Sequence, residues 1–167
     1  MSKNVPLSEN DARVLGILQA QGRRSYADLG TDLGMAAPSV HERVKKLEAK
    51  GVIRGYAADV DPAAVGLLVL AFTWVTQAPG TISVDLTPEF AEIRDIEECH
   101  HIAGEADYLL KIRARDMEHL GEIVRRIQTT PDVFATETEV VLSTGFEGRP
   151  LSITPKRGEA PETRRGG

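Results

Sequence analysis

Three places in this chain gather residue types capable of chemistry. At 99–101 stand Cys99, His100 and His101. A thiolate and imidazoles ligate zinc, and a thiol beside an imidazole is a nucleophile with its base. Neither chemistry fits the element that "EECHHIAG" predicts, which is a strand. Strand alternation puts Cys99 and His101 on one face and His100 on the other. Two aligned ligands fall short of the four of structural zinc, and the i, i+2 spacing does not bring thiol and ring nitrogen into line. There is no phosphate loop and no dinucleotide fingerprint. No metal, cofactor or catalytic residue is expected.

The second place is "GEADYLL", 104–110. Gly104 relieves a tight turn, and Asp107 stands where the next strand begins. Taken alone, this is a hairpin whose aspartate satisfies backbone amides. The other reading makes the loop one wall of a small-ligand cleft. A free amino acid is a zwitterion. Asp107 would hold its ammonium, while loop amides or threonine hydroxyls hold its carboxylate. Both readings stay open on these residues. Few charges beyond Asp107 are expected around such a cleft, which favours a small or apolar amino acid.

The third is "SVHERVKKLEAKGVIRGY", 39–56, with five of the chain's twenty Lys and Arg and only two carboxylates. Projected at 100° per residue, Val40, Val44 and Leu47 form one narrow inward face. Glu42, Lys45 and Lys46 lie opposite, with Ser39, His41 and Arg43 on the flanks. Arg43 and Lys46 suit guanine or phosphate, Ser39 suits either, and Glu42 suits a cytosine amino group. Arg54, just beyond the helix, suits a phosphate. A merely solvated helix face is the plain alternative. What precedes the helix favours DNA.

The elements that must position these residues are legible. Ser8 and Asp11 form a capping box behind Leu7, opening a helix that carries Val14, Leu15 and Leu18 and runs to about Gly22. Ser25 opens a second helix containing Leu29 and Leu33, and Gly34 closes it. Pro38 suits the first turn of a third helix, which Gly51 stops. Two helices across a tight glycine-containing turn are a helix-turn-helix pattern. "VIRGYAADVDP" then reads as a strand. Further on, "LLVLAFTWV", "EECHHIAG", "DYLLKIRAR" and "VFATETEVVL" read as strands. "DLTPEFAEIRDI", capped by Thr87, and "DMEHLGEIVRRIQ", with Met117, Leu120, Val124 and Ile127 on one stripe, read as helices. The order β-α-β-β-α-β is ferredoxin-like.

The 167 residues therefore divide into a helix-turn-helix domain (1–52), a strand linker or hinge (53–66), a ferredoxin-like domain (67–144) and a tail without structure (145–167). Charge follows this division. Residues 1–60 are net +2, 61–150 net −9 and 151–167 net +2, for −5 overall. An acidic body with a basic end approaches a polyanion by that end. A net +2 is weak for DNA, so several copies are needed. No apolar run approaches the roughly 20 residues of a membrane helix. A single cysteine and the polar start "MSKNVPLSEN" lead us to expect a cytoplasmic protein.

Taken together, "LSENDARVLGILQAQGRRSYADLG", "ERVKKLEAKGVIRGYAADVDP", "ECHHIAGEADYLLKIRARDM" and "PDVFATETEVVL" resemble the leucine-responsive/asparagine-responsive (Lrp/AsnC) transcription regulators from Leu7 to Leu142. The resemblance implies a winged helix-turn-helix domain followed by a RAM-type ferredoxin-like domain that dimerises and senses amino acids, with dimers assembling to octamers on double-stranded DNA. The DNA contacts expected, from the helix reading above, are Ser39, His41, Glu42, Arg43, Lys46 and Arg54. Carried over position by position, the effector contacts fall on Gly104, Asp107, Tyr108, Thr136 and Thr138. Two departures stand out: Ala36 where the family often has a capping serine, and a short first helix after "TQAPGTISV". Some proteins of this layout act on tetrapyrroles instead, which would call on His100, His101 and His119. An architectural DNA binder without an effector is a third possibility.

Overall fold

The computed structural model describes residues 5–80 and 84–155. It divides into two compact units: 1–58 together with 146–167, and 59–145.

The first unit is built on three helices, α1 (Glu9–Ala20), α2 (Tyr26–Leu33) and α3 (Ala37–Ala49). The capping box at the start of α1 is formed: Ser8 Oγ accepts from the Asp11 N–H at 3.2 Å, and Asp11 Oδ2 accepts from the Ser8 N–H at 2.9 Å. Ser25 caps α2 in the same way, accepting from the Asp28 N–H. Gly34 ends α2 in the left-handed region (φ 67°), at little cost for a residue without Cβ. Val14, Leu29, Val40 and Val44 are fully buried in one core, with Leu15, Leu18, Leu33 and Leu47 around them. Each such side chain contributes about 1.5–3 kcal/mol of burial. The inward face expected of α3 is therefore the observed one.

Sequence reasoning missed the role of Gly30. A Cβ there would stand 2.5 Å from the Met35 carbonyl oxygen. The turn folds back so tightly on α2 that the Met35 N–H donates to the Gly30 carbonyl at 2.8 Å. Ala36, at the N-cap of α3, makes no side-chain cap hydrogen bond.

The strand expected over 52–61 is not formed. Residues 55–61 have no regular structure, because among the described residues no neighbouring strand offers them hydrogen-bond partners. The tail also departs from expectation. The Leu151 N–H donates to Gln19 Oε1 (2.7 Å), Gln19 Nε2 donates to the Leu151 carbonyl (3.1 Å), and Ile153 packs on the helical core. Residues 156–167 lie outside the described residues.

The second unit is a four-stranded antiparallel sheet of order β2-β3-β1-β4, with β1 (Val69–Gln77), β2 (Ile96–His101), β3 (Tyr108–Ala114) and β4 (Val133–Val140). Helices α4 (Thr87–Ala91) and α5 (Met117–Gln128) complete the β-α-β-β-α-β order. Ala71 and Val75 of β1 and Tyr108, Leu110, Ile112 and Ala114 of β3 meet Phe90, Leu120, Ile123 and Ile127 in one core. This is the ferredoxin-like arrangement read from the pattern. Two local expectations fail. Thr87 is the first residue of α4 rather than its cap, and Asp85 Oδ1 accepts the Thr87 N–H instead (2.9 Å). Met117 is exposed at the start of α5, whose buried stripe runs through Leu120, Ile123 and Ile127.

Replacing Gly30 by alanine is expected to lower the stability of the helical unit by about 1–3 kcal/mol through overpacking against the turn. Ala36→Ser is expected to raise it by about 0.5–1 kcal/mol by supplying the missing cap. Denaturant titration followed by circular dichroism measures both.

Candidate functional site

The basic helix α3 is held by its buried seam, and its opposite face is in water. Ser39, Glu42, Lys45 and Lys46 are exposed there, and Arg54 is exposed beyond the helix. Lys46 makes only a loose i, i+4 pair with Glu42 (3.7 Å, both side chains about 70% exposed), which restrains neither charge much. His41 is half-buried, its ring 4.9 Å from that of Tyr26 on α2. His41 therefore braces α3 against α2.

Arg43 corrects the expectation of a free cationic flank. Its Nη1 donates to Asp11 Oδ1 at 2.6 Å and to Ser8 Oγ at 3.1 Å. The side chain is 28% exposed and that of Asp11 17%. The guanidinium thus ties α3 to the capping box of α1, which is possible because α1 presents that box beside the flank of α3. Burial pushes the Asp11 carboxyl up, but the Arg43 hydrogen bond and the Ser8 N–H and hydroxyl together outweigh it and hold the group below its ordinary range.

The second unit carries a cleft on its sheet. The register sets its walls. Thr73 faces Thr138 and Val75 faces Thr136, while Trp74 faces Glu137 and Phe72 faces Glu139. Thr73 and Val75 are fully buried on the helix-covered face, so Trp74 and Glu137 belong to the other. A cleft of about 740 Å³ is lined by Trp74, Thr76, Ile102, Gly104, Glu105, Ala106, Ala135, Thr136, Glu137 and Glu139.

Of the five residues expected to hold an effector, Gly104 and Thr136 border this cleft. The Thr136 hydroxyl, however, accepts from Gln128 Nε2 of α5 (2.9 Å). Thr138 Oγ1 lies 2.9 Å from Thr73 Oγ1, inside the sheet's covered face. Asp107 does what the plain hairpin reading asks: its Oδ2 accepts from the Gln77 N–H (2.7 Å), and its own N–H donates to the Val75 carbonyl (2.9 Å). Tyr108 is a core residue, 2% exposed, its hydroxyl accepting from the Leu86 N–H (3.1 Å) and its ring edge-on to Phe90. Burial raises its phenol pKa.

Trp74, Glu105, Glu137 and Glu139, which the sequence did not single out, also line this cleft. Alternation along β1 marks Trp74, because it must face away from Ala71, Thr73 and Val75. Three of these lining residues are carboxylates, more charge than was expected around an effector cleft.

The histidines are dispersed. His100 Nε2 lies 3.1 Å from Glu98 Oε2, His101 stacks on Tyr108, and His119 Nδ1 accepts from the Arg115 N–H. Cys99 packs against the core, and burial raises its thiol pKa. Among the described residues no three His, Cys, Asp or Glu side chains converge as metal ligands. Nor is any described helix long and apolar enough to cross a membrane.

A helix-turn-helix unit followed by an α+β unit with a cleft on its sheet defines a DNA-binding regulator with a ligand-binding domain. Residues 7–48 match the AsnC-type helix-turn-helix domain, and residues 70–151 match the Lrp/AsnC ligand binding domain. The chain belongs to the Lrp/AsnC family of transcriptional regulators. It is 33% identical over 146 residues to the HTH-type transcriptional regulator LrpA of Mycobacterium tuberculosis, spanning 87% of this chain and 97% of that protein. It is 34% identical over 142 residues to the leucine-responsive regulatory protein of Escherichia coli, spanning 81% and 85%. A feast or famine regulatory protein of M. tuberculosis complexed with L-methionine matches with a TM-score of 0.77 and 32% identity, covering 86% of this chain and 97% of that one. A transcriptional regulator/L-Met complex from Neisseria meningitidis matches with a TM-score of 0.79 and 27% identity, covering 87% and 96%.

Arg43→Ala is expected to destabilise the helical unit by about 1–2 kcal/mol, because it strands a half-buried carboxylate. A group whose folded pKa is depressed contributes stability above its unfolded pKa and loses it as pH falls. The wild-type advantage should therefore be full near neutrality and shrink as pH drops below about 4. Urea titrations of both proteins at pH 7 and pH 3 check the sign.

Proposed function

We propose that this chain is an amino-acid-responsive, sequence-specific transcriptional regulator that acts in the cytoplasm as a dimer-based oligomer, with dimers joining into octamers. In a symmetric dimer, the α3 helices enter successive major grooves. Ser39, Glu42 and Lys46 reach base edges or phosphates, and Arg54 takes a phosphate. Lys45, exposed beside Lys46, joins them. Arg43 and His41, expected as direct contacts, serve by fixing the angle at which α3 meets the duplex.

The observation that carries this reading is the anchored helix α3 with its cationic rim in water. Oligomerisation is supported by apolar side chains left exposed around the linker and after β4: Tyr56, Val60, Val65, Leu68 and Leu142, the last 99% exposed. The amino-acid ligand is supported by the cleft and by the L-methionine in two structural neighbours. With Asp107 occupied by the Gln77 N–H, the ammonium falls to the glutamates of the cleft wall, and the carboxylate to amides of the 104–106 loop. Ligand binding that favours one assembly over another changes DNA affinity by that difference and no more.

Two measurements test this. Lys45→Ala/Lys46→Ala/Arg54→Ala should weaken binding to a regulated promoter fragment and lower the slope of log K against log salt by about 2–3, at about 0.9 per phosphate contact. Unchanged affinity with an unchanged slope would remove α3 from the interface. A thermal-shift screen of the twenty amino acids, L-methionine first, should find at least one that raises the melting temperature of the wild type and not that of Glu137→Ala/Glu139→Ala. If none acts, the chain binds DNA without an effector.

A further inference from the structure

We infer that residues 151–153 are a strap that positions the DNA-reading helix. Clasped by Gln19, they fasten α1 to the segment that follows α3, and so set the angle at which α3 and Arg54 meet a duplex. This rests on the DNA-binding reading above and adds to it positioning residues outside α3.

The clasp is specific. Gln19 Oε1 accepts from the Leu151 N–H at 2.7 Å, and Gln19 Nε2 donates to the Leu151 carbonyl at 3.1 Å. A side-chain amide on the last turn of α1 thus gives the backbone the pair of bonds that a neighbouring strand would give. Two residues on, Ile153 is half-buried against the helical core. Leu151 and Ile153 line one apolar groove of about 450 Å³ with Leu7, which precedes α1, and with Val52, Ile53 and Arg54, which follow α3. Val52 and Ile53 are themselves held to α3, both N–H groups donating to the Leu47 carbonyl (2.9 and 3.2 Å). The strap therefore borders the entry to α1 and the exit from α3 at once.

Two restraints then act on one helix. At its start, α1 holds the flank of α3 through Asp11 and Arg43; at its end, it is held by the strap. A tilt of α1 would carry Asp11 with it, and with Asp11 the Arg43 side of α3. Gln19, Leu151 and Ile153 bring no charge, so the strap acts on geometry and not on phosphate contacts. Its place in the chain gives it a regulatory use. The strap continues the chain after β4, whose Glu137 and Glu139 line the cleft. The segment after α3 leads instead into β1, whose Trp74 lines the cleft too. The two paired strands of the cleft wall are thus continued, one upstream and one downstream, by the two segments seated on the helical unit. A change that frees or seats the strap shifts DNA affinity by the difference between those two states.

The experiment uses the full chain and two fluorescein-labelled duplexes, one selected by the wild type from a random pool and one of mixed sequence. Both are titrated by anisotropy at a temperature where melting curves show the variants folded. Gln19→Ala and Ile153→Asp should each weaken binding to the selected duplex by at least about fivefold. Binding to the mixed-sequence duplex, which asks only for phosphate contacts, should stay within about twofold of wild type, with an unchanged salt slope. Ile153→Leu, which keeps the apolar seat, should behave as wild type. If Ile153→Asp does not fold, Gln19→Ala decides alone. Wild-type affinity of Gln19→Ala for the selected duplex would overturn the inference. So would equal losses on the two duplexes, the result of a strap that merely stabilises the fold. A wild-type chain that selects no sequence overturns the DNA-binding reading itself, a result distinct from both.

Discussion

The structure of the DNA-binding unit turns on how α3 is held. Val40 and Val44 are fully buried and Leu47 nearly so, which fixes the helix's roll. The Arg43 guanidinium, bonded to both Asp11 and Ser8, pins its flank to the start of α1. The two restraints differ in kind. Apolar burial is strong but tolerant of small rotations, whereas a 2.6 Å charge-assisted hydrogen bond is directional. Together they hold Lys45 and Lys46 outward, and the close turn at Gly30 sets where α3 begins. Function on this surface is a consequence of packing behind it.

The second unit solves a different problem. Its sheet buries one face under α4 and α5 and leaves the other to build a cleft. The parity of each strand residue decides between the two roles. Thr138 and Tyr108 fall on the buried side and serve the core. Trp74, Glu137 and Glu139 fall on the open side and make the wall. Asp107 stands at the join, where its carboxylate and its amide hold the end of β1 to the loop.

Local signals were legible in the sequence, and long-range ones were not. The Ser8/Asp11 capping box, Gly34 at the end of α2 and Pro38 in the first turn of α3 each declare themselves within four residues. The strand-like runs of β1 and β3 were as clear, so element order and sheet class followed. What escaped depended on distant partners. Arg43 reads as a free cation until α1 brings Asp11 beside it, 32 positions away. The tail reads as unstructured until Gln19 meets Leu151 across 132 positions. The segment 52–61 has the composition of a strand but lacks a neighbour within the described chain. The Lrp/AsnC resemblance carried the family and the two-domain plan, while the internal partners of Asp107, Tyr108 and Thr138 depend on the register and could not be read from it.

The reading proposed above needs α3, locked from behind, to be the surface that meets DNA. Hydrogen exchange of the full chain, measured by mass spectrometry with and without a bound promoter duplex, addresses it directly. Peptides spanning 37–54 should gain protection on DNA binding, while those spanning β1 (69–77) should be unchanged. Protection confined to the sheet, with 37–54 exchanging as in the free protein, would mean that DNA binds elsewhere than on α3.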